Sequence, residues 1–507
     1  MVALFSFVLA GCNAAAVSLA PAGSGSSYTS DLPQPPVVRS TGGVAHLDLT
    51  AAIDPATGAP AFEFAGRFTA PTIEVAPGDT IDITYRNALP VSSVPTNMTN
   101  LHFHGMLTSP LAPGDDVVSM MAMPGQQLHY VVPIPADEQP GIYWYHTHPH
   151  GQSNWQVTSG MSGAIVVDGI ERHFPWLGSL RQQLILLRNP QDTPDFGSLA
   201  RTRAPGRGRL AAAPAGYDPC RPSDDHHVTV NGLPEARIGI GPGERQLFRF
   251  VNMSADRYAD LAVDGQRVTL VSLDGFPLDT YPGAPGSATV PDILVPPAGR
   301  AEFVVTGTAA GTVLRSKCVD TGPDGDPVPD VVLARLSPQG AAAALSSLGR
   351  LPAAKVASRP ALVPLLARAF APPSVKRTIV FSEDNDTSQF YIDGKQYDPS
   401  AAPAIVARAG TMEEWTVVNT TSELHAFHIH QIHFSVESVN GVAVSPGRWI
   451  DTVNVPYAKS GAGGVPLPGT VKLLMDFRDP IIRGTFVFHC HLLEHEDGGM
   501  MAKIAVQ

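Results

Sequence analysis

The chain has 507 residues, more than one hydrophobic core normally covers, so two or three domains are expected. Its 47 glycines and 48 prolines, set among Val, Ile, Thr and Phe runs, predict strands joined by turns and exclude a helical bundle. A net charge of −12 with no basic cluster leaves no footprint for DNA or RNA and suits a soluble chain or a cationic substrate.

At the N-terminus, Met1 to Ala10 is a short apolar run ending in small residues, in the manner of a secretory leader. Leu9-Ala10-Gly11-Cys12 resembles the bacterial lipoprotein box, which implies a lipid anchor on Cys12 and an extracytoplasmic location, periplasmic or at the cell surface. Residues 13–40, rich in Ser, Pro and Gly, read as a flexible tether. No later segment is apolar for long enough to span a bilayer.

A weak repeat sets the organisation beyond residue 40. Gly78 to Asn87, Gly243 to Asn252 and Gly410 to Asn419 each place Gly and Asn nine residues apart, with apolar side chains five and seven after the Gly. That alternation is a half-buried strand. The copies start 165 and 167 residues apart, which predicts three similar all-β domains of sandwich or barrel size. Domain one is expected over 41–172, domain two over 173–337 and domain three over 376–507. A connector over 338–375 is Ala/Leu/Pro-rich, and Arg201 to Asp225 reads as a surface loop of domain two.

Four motifs hold ten of the seventeen histidines. They are His102-Phe-His104-Gly105, His146-Thr-His148, His425-Ala-Phe-His428-Ile-His430, and His489-Cys490-His491 followed by His495. A lone His-x-His pair on a strand is commonplace; four such motifs confined to the first and last domains are not. Strand side chains alternate, so His489 and His491 share one face and Cys490 takes the other. His428 and His430 likewise share a face, with His425 opposite. Cys490, His425, His495 and Met500 then form a blue-copper ligand set: thiolate, two imidazoles and a weak axial thioether. The other face offers His428, His430, His489 and His491, to be completed by His102, His104, His146 and His148. Eight imidazoles at a domain interface suit several copper ions, and the near absence of carboxylates argues against calcium, magnesium and non-haem iron.

The chain has four cysteines. With Cys12 assigned to lipid and Cys490 to metal, Cys220 and Cys318 remain for a disulfide in domain two.

These motifs, the run His489-Cys-His-Leu-Leu-Glu-His495-Glu-Asp-Gly-Gly-Met500-Met501 and Arg448-Trp449-Ile-Asp451-Thr-Val resemble the multicopper oxidases, above all the bacterial laccase-like and copper-efflux group, over roughly residues 60–507. The resemblance implies three cupredoxin-like Greek-key domains and four copper ions. Type 1 copper would take His425, Cys490, His495 and axial Met500, with Met501 the alternative. Type 2 would take His102 and His428. The type 3 pair would take His104, His146 and His491 on one ion and His148, His430 and His489 on the other. The implied reaction couples four one-electron oxidations of a donor to reduction of dioxygen to water.

Oxygen reduction consumes protons, and Glu496, Asp115 and Asp116 are the candidate relay by resemblance. His129, His150, His433 and the His226-His227 pair read as structural or surface residues, His150 with some claim to support the cluster. Met120, Met121 and Met123 could bind Cu(I), but packing explains them better. The expected donor is a phenolic or similar aromatic; a Cu(I) or Fe(II) donor is the alternative, and a non-catalytic copper-binding scaffold a more distant one. The chain is taken as a monomer.

Overall fold

A computed structural model describes residues 32–93, 95–190, 216–222, 227–338, 372–384, 388–445, 447–461 and 465–507. The leader with Cys12, residues 13–31 of the tether, nearly all of the 338–375 connector, most of the Arg201 to Asp225 loop and His226 lie outside them.

The three repeat copies form equivalent strands. Thr80–Asn87, Arg245–Asn252 and Thr411–Asn419 each pair with a parallel strand on one side and an antiparallel one on the other. The leading glycines adopt φ of 88, 76 and 85°, a left-handed turn that other residues resist. The alternating positions Ile83/Tyr85, Phe248/Phe250 and Trp415/Val417 are fully buried, each pair in its own domain's core. The closing asparagines repeat one set of bonds: each amide donates to loop carbonyls and its oxygen accepts a backbone N–H two residues on.

Around each central strand stand two sheets: five plus five strands in domain one, seven plus five in domains two and three. This is the three-domain β architecture expected from the repeat. Cys220 and Cys318 are bridged, with Cα atoms 5.5 Å apart.

The tether does not extend to residue 40. Val37–Arg39 is an edge strand of domain one, parallel to Thr72–Val75. Leu32 is buried in the core of domain two, and Gln34 donates to the Leu184 carbonyl while its side-chain oxygen accepts the Leu184 N–H. Pro-rich composition concealed a packed strap between two domains.

Candidate metal centre

The strand Gly484–Cys490 lies in the C-terminal sheet of domain three between Met501–Val506 and His425–Ile429, with His428 opposite His489 and Phe427 opposite Cys490. In domain one His102 faces His146 across antiparallel strands. These two sheets meet, and eight imidazoles converge from both domains. His148 Nε2 and His430 Nε2 lie 3.3 and 3.2 Å from His489 Nε2. The rings of His102 and His430 stack at 3.6 Å, and those of His104 and His428 at 3.9 Å. His146 and His491 stand 5.4 Å apart. All eight are buried.

Burial, with the neighbouring rings adding to it, holds the imidazoles of His102, His430 and His491 well below their usual pKa. His146 falls to about 3 and His148 to about 4, chiefly through burial. These rings are neutral at physiological pH, the state in which a nitrogen lone pair can bind metal. Seven buried ring nitrogens here have no hydrogen-bond partner: Nε2 of His102, His146 and His428, Nδ1 of His104 and His430, and both nitrogens of His491. Buried polar atoms are normally satisfied, so this basin of orphaned acceptors fits metal ions. Ligand atoms of His102/His104/His146, of His102/His428/His430 and of His148/His430/His489 lie within 4.8 Å of one another in each group.

Behind the strand a second group forms. His425 Nδ1 and His495 Nδ1 point at Cys490 Sγ from 3.5 and 3.8 Å and at each other across 3.1 Å. Met500 is fully buried in the same core cluster as Cys490. The outer nitrogens are held by Thr421 Oγ1, 2.9 Å from His425 Nε2, and by Glu423, 3.2 Å from His495 Nε2. Phe390 stacks on the His495 ring at 4.1 Å.

Asp115 and Glu496 flank the histidine basin from opposite sides. Asp115 holds His102 Nδ1 at 2.9 Å and accepts from the Phe103 N–H and Gln431 Nε2. Burial pushes its carboxyl up to about 7 against those bonds. Glu496 sits 3.0 Å from His489 Nδ1 and 3.6 Å from His148 Nε2. Burial raises its carboxyl, but His148 and His489 outweigh that and hold it well below the usual carboxylate range. Its short helix Leu493–Asp497 is fixed when Asp497 accepts the Ser153 and Asn154 N–H groups of domain one.

Asp116 departs from expectation. Its carboxylate closes its own turn, accepting the N–H of Val118 and Ser119 and the Ser119 hydroxyl, and it takes no part in the basin. Met120 packs on the domain-one core and Met123 is exposed. His129 pairs with Asp82 on the surface, and the His150 ring packs against Tyr397. His433, read as structural, stands 3.4 Å from Asp451. The residues missed altogether are Arg300 and Asp274 of domain two, Gln431, Thr421 and Glu423. None lies in a histidine motif; Thr421, Glu423 and Gln431 border one, and only folding brings in Arg300 and Asp274.

Three family profiles, each described as multicopper oxidase, match residues 49–172, 204–312 and 370–507. Multicopper oxidase LPR1 homolog 1 of Oryza sativa subsp. japonica is 26% identical over 86% of this chain and 81% of its own length. The cell division protein FtsP of Escherichia coli is 25% identical, covering 94% and 92%. Among solved structures, a multicopper oxidase from Campylobacter jejuni, titled a metallo-oxidase, superposes with a TM-score of 0.67 at 22% identity, covering 92% of each chain. With all three β domains matched in order, the chain belongs to the multicopper oxidase family, oxidoreductases that use copper and dioxygen.

Proposed function

We propose that the chain binds four copper ions and oxidises a cationic reductant, ferrous iron in the first instance, at the His495 edge. The observation that carries the copper reading is the basin of orphaned, neutral imidazole nitrogens beside a separate Cys490/His425/His495 group. In this assignment His425, Cys490, His495 and Met500 would hold type 1 copper, and His102 and His428 would hold type 2. His104, His146 and His491 would hold one type 3 ion; His148, His430 and His489 would hold the other. Bound copper supplies one-electron redox steps at type 1 and four-electron reduction of dioxygen at the basin.

The protein's own groups do the rest. Cys490 is covalently continuous with His489 and His491, so the strand joins donor side to oxygen side through bonds alone. Glu496 and Asp115 touch basin imidazoles from opposite sides and are placed to hold and pass protons. The tight packing of the eight rings keeps bulk water from the basin.

The donor reading rests on a cleft bounded by His495, Leu492, Leu424, Tyr258, Thr321 and Gly325. Asp256, Asp326, Glu423 and Glu494 complete it, with no Lys, Arg or Met among the described lining residues. Carboxylates gathered at a cleft attract cations. Oxygen ligands suit a harder cation than Cu(I), which prefers sulfur. The lining therefore favours Fe(II) over both Cu(I) and the phenolic donor expected from sequence. A scaffold role does not account for an intact donor set. The disulfide supports a location outside the cytoplasm.

Oxygen uptake by the copper-loaded protein with Fe(II), Cu(I) and a phenol at equal driving force tests the donor. Fe(II) should give the highest kcat/KM, and Asp326→Asn with Glu494→Gln should lower it about tenfold while leaving the phenol unchanged. Equal loss for both donors, or preference for the phenol, sinks the cationic reading.

A further inference from the structure

We propose that Arg300, supplied by the domain that carries no copper motif, positions His104 and His428 for copper through Asp451. The proposal rests on the copper-basin reading above and gives domain two a part in it.

Arg300 opens the strand Arg300–Thr306 and is fully buried. Its guanidinium grips Asp451 in a fork, Nη1 to Oδ1 at 2.7 Å and Nη2 to Oδ2 at 2.6 Å. Remaining donors go to carbonyls: Nη2 to Asp274 at 2.9 Å, Nε to Ile142 at 3.3 Å and Nη1 to Ala298 at 3.4 Å. Domain two adds a second hold, since the Asp274 carboxylate accepts the N–H groups of Arg300, Asp451 and Thr452. A buried ion pair is a poor way to gain stability, because apolar side chains of equal volume commonly do as well or better. Geometry is what the fork provides: it fixes the plane and direction of one carboxylate.

What Asp451 faces gives that direction its use. Its Oδ1 lies 3.1 Å from His104 Nε2, and its main-chain oxygen lies 2.9 Å from His428 Nδ1. A carboxylate and a carbonyl can only accept, so each ring carries its proton on the outer nitrogen. The inner nitrogens, His104 Nδ1 and His428 Nε2, then turn lone pairs into the basin, and these are two of its orphaned atoms. One residue of domain three thus sets the tautomer and tilt of a ring from domain one and a ring of its own, while domain two fixes that residue. The motif glycine records the same fit. A Cβ on Gly105 would stand 2.1 Å from Arg300 Nη2 and 2.6 Å from Asp451 Oδ2, at φ +81°. His102-Phe-His104 is followed by glycine because the ion pair occupies the space.

The test uses the full copper-loaded chain with Arg300→Met, Arg300→Lys and Gly105→Ala. Lysine keeps the charge and loses the fork; alanine displaces the pair from the other side. Readouts are copper per chain, the type 1 and type 2 electron paramagnetic resonance signals, and anaerobic bleaching of the blue band by ferrocyanide. The expected result is an unchanged type 1 signal and bleaching rate. Basin copper should be lost to a competing chelator about 10–100-fold more readily in Arg300→Met, with an altered type 2 signal and an intermediate effect in Arg300→Lys. Full retention of basin copper with the wild-type type 2 signal in the variants overturns the proposal. So does parallel loss of both signals in every variant that folds, which marks general destabilisation. Should Arg300→Met not fold, Arg300→Lys and Gly105→Ala decide alone. Wild-type protein that holds no basin copper overturns the underlying reading instead.

Discussion

Cys490 is a buried free thiol whose neighbours on both sides point the opposite way. Replacing it with serine should remove the blue absorbance and all turnover while the basin keeps its copper, measured by optical spectra and elemental analysis. Retained turnover would show that electrons travel another way. A different residue shapes the response to rising pH. Glu138 is buried beneath the domain-one and domain-two contact, where its oxygens accept from the Leu107 N–H and the Tyr143 hydroxyl. Burial, the leading influence, pushes its carboxyl up to about 8, above the ordinary 4.5. The folded state therefore holds a proton that the unfolded chain releases. The stability this gives is complete below about pH 4.5 and is lost as pH rises through 8, at about 1.4 kcal/mol per pH unit. Glu138→Gln should flatten that slope, so the variant gains on wild type in thermal unfolding at pH 8 relative to pH 5; parallel curves would rule the assignment out. The motif histidines were legible in the sequence because each motif is local and strand alternation alone sorts its faces. Arg300, Asp274 and Glu423 were not, because an isolated arginine or carboxylate acquires its meaning only from a partner over a hundred residues away or in another loop.

At the level of elements, the repeated Gly-to-Asn strand was readable from its period of two and the spacing of its ends. What the period could not convey is that the terminal asparagine is put to different use in different domains. Asn252 ties the Arg257 and Val295 carbonyls within domain two. Asn419 does the same for Glu423, and the oxygen of each accepts from the N–H and hydroxyl two residues on, Ser254 in domain two and Thr421 in domain three. Thr421 in turn reaches His425 Nε2. Removing either side chain leaves buried groups unmatched and should lower stability by about 2–4 kcal/mol. Only Asn419→Ala should also shift the blue band and its reduction potential, because only there does the asparagine orient a ring aimed at Cys490. Matching spectral shifts in Asn252→Ala would show that the effect is general loosening. The strap at Leu32 to Arg39 was misread for the converse reason. Its composition is that of a linker, and a three-residue edge strand is too short to carry a period.

Across the whole molecule, the proposed donor cleft and the basin are assembled from different domain pairs, so each can be perturbed alone. One wall of the cleft is the domain-two loop after Cys318, which presents Thr321, Gly325 and Asp326 to domain three. That loop is docked by backbone bonds, Leu424 N–H to the Thr321 carbonyl at 2.7 Å and Asp324 N–H to the Ser422 carbonyl at 3.3 Å. Asp320 anchors it further by accepting from the hydroxyls of Tyr217 and Tyr457. Gly322 makes the docking possible, since a Cβ there would lie 2.2 Å from the Ser422 carbonyl oxygen. The Cys220–Cys318 bridge holds the start of this loop to the segment bearing Tyr217 across 98 residues of sequence. A cross-link closing so long a loop contributes about 2–5 kcal/mol to stability. Its local consequence is more specific. Cys220→Ser should free the loop at one end, raise KM for a cationic donor several-fold and steepen its dependence on ionic strength, as the carboxylates lose their fixed spacing. Neither kcat at saturation nor the type 2 copper signal should change, because no basin contact passes through residues 318–326. Steady-state oxygen uptake at two ionic strengths, alongside electron paramagnetic resonance of the same sample, separates the outcomes. A fall in kcat with an altered type 2 signal would mean that the two sites are mechanically coupled through domain two. An unchanged KM would mean that the loop does not shape the donor site.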